Sequence, residues 1–95
     1  MLTFEQFEPL VGQPFDLPVG DERFVLTLTE AKLLPHHNPD IHWRPPFVLT
    51  FTCPDQRVLP QQMYRIDHSA VPGAELFLVA FGRDDAGVNY EAVFN

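Results

Sequence analysis

The chain has 95 residues and a formal net charge of −7, with 13 acidic side chains against six basic ones. This length permits one domain and leaves no room for a second core. The six basic residues are scattered singly, which argues against a nucleic-acid binder and against an anionic membrane surface as partner. We therefore predict a single domain over residues 1–95 that binds neither nucleic acid nor membrane.

The single cysteine, Cys53, excludes an internal disulfide bond and ends an apolar run. A buried, reduced thiol is the expected state of such a residue, and it fits folding in the cytosol. The first residues lack the basic and apolar regions of a signal peptide, and no apolar run has the length of a membrane span. We expect synthesis in the cytoplasm, with incorporation into an exported or surface assembly as the alternative final location.

The N-terminal residues predict a short helix. Thr3 and Gln6 form a capping-box pattern, and Phe4, Phe7 and Leu10 follow at three-residue spacing along one helix face. The next proline and glycine limit the helix to about two turns. We expect it to cover one end of a β-core.

Alternating apolar residues predict strands through the middle of the chain. A short strand is expected at Phe15–Leu17 and a long one at Arg23–Leu34, with a bulge near Glu30–Ala31 where the alternation slips. Phe47–Cys53 and Met63–His68 follow as two more strands. In the last of these, Tyr64 and Ile66 are predicted to point inward.

The C-terminal residues Glu75–Asn95 read as a hairpin. The run Leu76–Phe81 is apolar at every position, so both of its faces are expected to be covered. After a loop at residues 82–87, alternate residues of the second strand (Val88, Tyr90, Ala92, Phe94) share a core face, and Val93 breaks the alternation. The whole pattern predicts a mainly β fold: a small antiparallel barrel or sandwich of five to six strands with a short N-terminal helix.

The histidines His36, His37 and His42 raise the question of a metal site. Structural zinc sites usually take ligands from two places in the chain, and no cysteine pair is present. No nucleophile elbow surrounds Ser69, and no glycine-rich phosphate loop occurs. We predict no catalytic residue, no metal and no cofactor. The one residue that leaves an enzymatic function as an alternative is His68, which lies near Asp67 and Arg65 in the sequence.

The residues predicted to take part in an interaction lie in two segments of the chain. Ile41, Trp43 and Arg44 belong to a proline-rich segment, where aromatic and arginine side chains are typical of binding hot spots. Tyr90 and Phe94 belong to the C-terminal strand, which lacks the lysine, proline or bulge that usually guards a free edge. That strand is expected either to close the barrel or to pair across a subunit interface.

Three segments resemble a family of small bacterial proteins known only as a domain of unknown function. They are residues 2–7 with Leu10-Val11-Gly12, Leu59-Pro60-Gln61 before Tyr64-Arg65, and the ending Tyr-Glu-Ala-Val-Phe-Asn at residues 90–95. The resemblance implies genes placed beside those of proteins similar to phage tail-collar and microcystin-dependent proteins. It thus implies a component or assembly partner of a fibre or tail-like structure, and it carries over no catalytic residue.

These observations favour a non-enzymatic structural or protein-interaction module that self-associates or docks on a protein partner, such as a tail-collar or fibre-like protein. The alternative is a small-ligand carrier, a β-barrel whose cavity would be lined by five aromatic rings: Phe24, Phe47, Phe51, Phe77 and Phe81.

Overall fold

The computed structural model describes residues 2–35 and 45–95, which form a short helix and six strands. The helix α1 spans Phe4–Phe7 and continues as a 3-10 turn over Glu8–Leu10. The strands are β1 (Pro14–Val19), β2 (Glu22–Leu33), β3 (Phe47–Cys53), β4 (Gln62–Ile66), β5 (Ala74–Asp84) and β6 (Gly87–Phe94). The predicted mainly β fold with an N-terminal helix is confirmed. No helix in this described part of the chain is long and apolar enough to cross a bilayer.

The strands form one antiparallel sheet in the order β1-β2-β3-β6-β5-β4. Strands β3 to β6 make a Greek key, because β6 returns to lie beside β3. The two outer strands meet at Asp16 and Asp67, whose backbone groups exchange hydrogen bonds of 2.9 and 2.8 Å. Pro18, two residues further along β1, has no N–H with which to continue this ladder. The sheet is therefore a nearly closed barrel.

The inner face of the barrel follows the predicted alternation. In β3, Phe47, Leu49, Phe51 and Cys53 are buried, and the residues between them are half-buried. The register of β2 on β3 shifts between Leu28 and Glu30, which confirms the predicted bulge to within a residue. Tyr64 and Ile66 are buried in β4, and the Cys53 thiol is buried and free, both as predicted.

Strand β6 lies in the interior of the sheet. It pairs with β3 along one side, from Phe47↔Phe94 to Cys53↔Val88, and with β5 along the other. The prediction that it could pair across a subunit interface is therefore wrong, because both neighbours belong to the same domain. Strand order depends on long-range pairing, which the local pattern of residues 88–94 does not encode.

The N-terminal helix covers one end of the barrel, as predicted. Gln6 Oε1 accepts a hydrogen bond of 2.7 Å from the Thr3 N–H, which completes one half of the capping box. Phe7 is fully buried and lies 6.4 Å from Phe47 and 6.2 Å from Phe94, measured between ring centroids. The Phe47 and Phe94 rings stack at 4.4 Å.

The segment of residues 54–61 crosses the opposite end of the barrel. Arg57 binds Asp55 at 2.8 Å and Glu22 at 3.0 Å, and its guanidinium lies 5.0 Å from the centre of the Phe24 ring. Its hydrogen bonds to the Asp55 carboxylate lower the pKa of that group to about 2. This arginine thus ties the crossing segment to the start of β2.

The β5–β6 hairpin also closes at this end, and more tightly than predicted. Asp84 still belongs to β5, so only residues 85 and 86 form the turn, where Asp84 Oδ1 accepts from the Ala86 N–H. Gly87 has φ +136°, and a side-chain carbon there would overlap the Cys53 carbonyl oxygen. Only glycine fits this position without strain.

Candidate interaction surface

Strand β5 is buried on one face only. Leu76 and Leu78 are buried, whereas Phe77 and Phe81 are 48% and 55% exposed and Val79, between them, is half-buried. The prediction that both faces of residues 76–81 are covered is therefore wrong. Every second residue of β5 points out of the barrel, and no other element among the described residues covers Phe77 and Phe81.

Two neighbouring strands extend this apolar surface. Met63 of β4 is the register partner of Phe77 and is 54% exposed. Val93 of β6 is 50% exposed and pairs with the half-buried Val48 of β3. We call Met63, Phe77, Phe81 and Val93 the outer apolar face. Large exposed apolar side chains grouped on neighbouring strands mark candidate interaction sites on soluble proteins.

The pairing of β5 changes along its length beneath this face. Residues 74–78 pair with β4, and the ladder with β6 starts only at Val79↔Glu91. Phe77 and Val93 therefore lie just beyond the last rung that joins β5 to β6. Phe81 sits where the register shifts between Ala80 and Gly82. Such irregularities bend a strand and re-aim its side chains.

Carboxylates border the outer apolar face. Glu75 precedes Phe77 by two residues in β5, and Glu91 precedes Val93 by two in β6 and is the partner of Val79. Glu91 also pairs in register with Thr50, whose other neighbour is Glu30. The ion pairs formed among residues 2–35 and 45–95 are Arg57–Glu22, Arg57–Asp55 and Arg65–Asp67, so none of the three glutamates is neutralised there.

The predicted interaction residues fall in different places. Ile41, Trp43 and Arg44 lie outside the described residues, as do His36, His37 and His42. Just outside that segment, the Leu34 N–H donates to the Pro46 carbonyl at 2.8 Å. Phe94 is half-buried, with its ring stacked on Phe47. The Phe7 ring lies 6.2 Å from the Phe94 ring as well, so Phe94 packs mainly within the domain.

Tyr90 is 1% exposed, and its hydroxyl is used inside the domain. The oxygen accepts a 3.0 Å hydrogen bond from the Leu59 N–H and donates to the Arg57 carbonyl at 3.4 Å. Burial raises the pKa of this phenol above its usual range. Tyr90 thus holds the crossing segment against β6. Its side chain is not accessible to a partner, as the predicted interaction role would require.

His68 has both ring nitrogens engaged. Its Nδ1 accepts a 3.0 Å hydrogen bond from the Ala70 N–H, so the proton of the neutral ring is on Nε2 and is donated to Gln13 Oε1 at 2.7 Å. Its ring also packs on Phe15, with centroids 4.8 Å apart. Asp67 Oδ1 instead accepts hydrogen bonds from Arg65 Nε at 3.3 Å and from the Gly73 N–H at 3.1 Å. These hydrogen bonds fix the loop that follows β4.

The five rings expected to line a ligand cavity divide between two surfaces. Phe24, Phe47 and Phe51 are buried inside the barrel, whereas Phe77 and Phe81 lie on its outside. The interior also holds Phe7 and Phe15, rings that the predicted lining did not include. The predicted lining is therefore wrong for the two β5 rings.

The sequence contained signals for the outer apolar face that the predicted site did not use. Successive residues of a strand point to opposite faces. Because Tyr64 and Ile66 were predicted to point inward, Met63 had to point outward. Val93 likewise breaks an alternating strand on its outward side. Phe77 and Phe81 gave no such signal, because a continuous apolar run has no period.

Comparison with known proteins identifies a family for the chain. A family model with the description Domain of unknown function (DUF6916) matches residues 2–94. No curated protein and no solved structure matches the chain.

Proposed function

We propose that this chain, which belongs to the DUF6916 family, is a non-enzymatic module that docks on a larger protein assembly. The observation that carries the proposal is the outer apolar face. Four large apolar side chains on β4, β5 and β6 are each about half exposed, while the inner face of the same strands is well filled. Large exposed side chains held on a rigid sheet are typical of a protein interface.

The residue types support binding rather than chance exposure. Phenylalanine and methionine are enriched in interfaces, and they bury a large area on contact. The hydrogen-bonded strands that carry these side chains also fix the backbone before a partner arrives, which reduces the entropy lost on association. The outer apolar face is thus preorganised for contact.

The assembly we propose is a bacterial fibre or phage-tail-like structure. Support comes from the resemblance of the chain ends to proteins encoded beside tail-collar-like and microcystin-dependent-like proteins. A small domain of this kind would be made in the cytoplasm and join the assembly there or at the surface. Its partner would be a neighbouring structural protein with a matching apolar patch.

Two features make the alternatives weaker. The ligand-carrier hypothesis loses Phe77 and Phe81 from its cavity, since both rings lie outside the barrel. The enzymatic hypothesis depended on His68, whose ring nitrogens bind Gln13 and the Ala70 backbone. Neither alternative is favoured by a specific observation.

Co-expression with the products of adjacent genes tests the proposal. We expect the wild-type chain to co-purify with a structural protein encoded beside it, and Phe77→Thr to lose that partner. Threonine retains a high β-propensity, so the strand should persist. The matched control is Val25→Thr, because Val25 is 44% exposed on β2, away from the outer apolar face. A chain that binds no adjacent product, or a partner retained equally by both variants, would contradict the proposal.

A further inference from the structure

We infer that the outer apolar face receives a protein segment in which apolar side chains are flanked by lysine or arginine. This inference rests on the proposed function and specifies the chemistry of the partner. It combines two observations: the half-exposed side chains of Met63, Phe77, Phe81 and Val93, and the carboxylates beside them, which form no ion pair among the described residues.

The carboxylates stand at defined distances from the apolar side chains. Glu91 is the register partner of Val79, the residue midway between Phe77 and Phe81, and so lies one strand spacing of about 5 Å to the side. Glu75 lies two residues before Phe77, about 7 Å along the strand. If a partner placed an apolar side chain over Phe77, a lysine or arginine next to it in the partner could reach the carboxylate of Glu75 or Glu91.

The basic residues of the same face do not cancel these charges. Arg65 is the register partner of Glu75, but its guanidinium binds Asp67 at 3.3 Å. Lys32 lies on β2, beyond Val48, and forms no ion pair with the described residues. Strands β5 and β6 carry the acidic residues Glu75, Asp84 and Glu91 against one basic residue, Arg83, whose Nη1 donates to the Gln56 carbonyl at 3.5 Å. This side of the outer apolar face is therefore net acidic, and a complementary partner is basic.

The same charges disfavour a second copy of the chain as the occupant. A two-fold contact through this face would bring the two copies of the same patch together. Glu75 and Glu91 would then approach carboxylates of the other copy, in a chain whose net charge is already −7. Like charges in such a contact oppose association, most strongly at low salt.

The spacing of the apolar side chains sets the length of the partner segment. Phe77 and Phe81 are four residues apart on a strand, which corresponds to roughly 13 Å. Met63 lies one strand away from Phe77. A short linear segment with two or three apolar side chains would span these positions, and alternating lysines would reach the bordering glutamates.

Three synthetic peptides of equal length test this chemistry by fluorescence anisotropy with the full chain. In the first, phenylalanine and valine alternate with lysine. In the second, glutamate replaces every lysine, and in the third, serine replaces every apolar residue. We expect the first peptide to bind at least about tenfold more tightly than either of the others, because only it satisfies both the apolar and the acidic parts of the face.

Variants of the chain locate the binding. Phe77→Thr should weaken the first peptide by about tenfold, Glu91→Gln by about threefold, and Val25→Thr by less than twofold. High salt should weaken binding to the wild type and have a smaller effect on Glu91→Gln. Equal affinity for the lysine and glutamate peptides would overturn the inference, and so would unchanged affinity in Phe77→Thr. Self-association through this face, detected by light scattering and abolished by Phe77→Thr, would also overturn it.

The outcome separates the inference from the proposed function. If an adjacent gene product binds through Phe77 and the lysine peptide does not, the module is an assembly component whose partner has another chemistry. If the lysine peptide binds through Phe77 and no adjacent product does, the partner chemistry stands and the assembly role fails.

Discussion

Two sets of phenylalanines in the same sheet have opposite environments. Phe47 is buried inside the barrel beneath the N-terminal helix, and the half-buried Phe94 stacks on it at 4.4 Å. Phe77 and Phe81 lie outside it on β5, each about half exposed. The residue type is the same, so the side of the strand alone decides whether a ring supports the fold or remains available for contact. The inner rings should matter for stability and the outer rings for binding.

This comparison also separates the roles of the two hairpin strands. Strand β6 lies between two neighbours and contributes Val88, Tyr90 and Ala92 to the core. Strand β5 contributes inner residues as well, but its outward side carries the apolar surface. The C-terminal hairpin thus joins the interior of the domain to its candidate interface.

The largest expected effect is on the inner ring Phe47. Phe47→Ala should lower the free energy of unfolding by about 3–5 kcal/mol, the usual cost of truncating a buried phenylalanine. The ring is 1% exposed and packs against Phe4, Phe7 and Phe94. Urea denaturation followed by circular dichroism measures the change. A loss below about 1 kcal/mol would show that the inner ring is no more important than an outer one.

A smaller loss is expected at the turn that connects the two strands. Gly87→Ala should destabilise the domain by about 2–3 kcal/mol, because alanine there is strained at positive φ and would meet the Cys53 carbonyl. Gly20→Ala is the control, since Gly20 also has positive φ but open space around it. We expect the control to lose about 1 kcal/mol. Equal losses in thermal unfolding would mean that the close approach to Cys53 is unimportant.

Removal of the Tyr90 hydroxyl should have a moderate effect. Tyr90→Phe leaves the Leu59 N–H without its acceptor, which should lower the free energy of unfolding by about 1–2 kcal/mol. Urea denaturation at neutral pH measures this loss, and an unchanged free energy would mean that water replaces the hydroxyl at no cost.

The same variant should alter the response to alkali. Because burial raises the pKa of Tyr90, the neutral phenol is favoured in the folded state. Its contribution is complete below the unfolded pKa of about 10 and is lost as the pH rises through the folded value. Tyr90→Phe should therefore lose less stability above pH 10 than the wild type does. Burial raises the pKa of Tyr64 and Cys53 too, so some alkaline loss should remain in the variant.

The sequence predicted the inner face far better than the outer one. Alternation in Phe47–Cys53 identified both the strand and its buried side, since a half-buried strand has a period of two. Residues 76–81 have no such period, so their outward rings were taken to be covered. The sequence also left open whether β6 closes the barrel or pairs across a subunit interface, because strand order arises from pairing between distant residues.

The interaction site illustrates the same limit. Tyr90 was expected at a contact surface because the C-terminal strand lacks the lysine, proline or bulge that protects a free edge. The strand lies between β3 and β5, and an interior strand needs no such protection. Arg57 gave no signal in the sequence, although it links Asp55, Glu22 and the Phe24 ring across the end of the barrel. Contacts of this kind depend on where a crossing segment lies in space.

The smallest expected effect on stability is that of replacing the outer apolar face with polar residues. Measuring this effect is the most direct test of the claim that these side chains serve binding and not folding. A triple variant, Met63→Thr with Phe77→Thr and Phe81→Thr, keeps β-favouring residues on β4 and β5 and removes three of the four side chains of the outer apolar face. If these side chains serve binding, the variant should unfold within about 1 kcal/mol of the wild type, as is usual for surface substitutions. A loss of about 3 kcal/mol or more, comparable to that of Phe47→Ala, would show that the outer apolar face is part of the fold and would contradict the account.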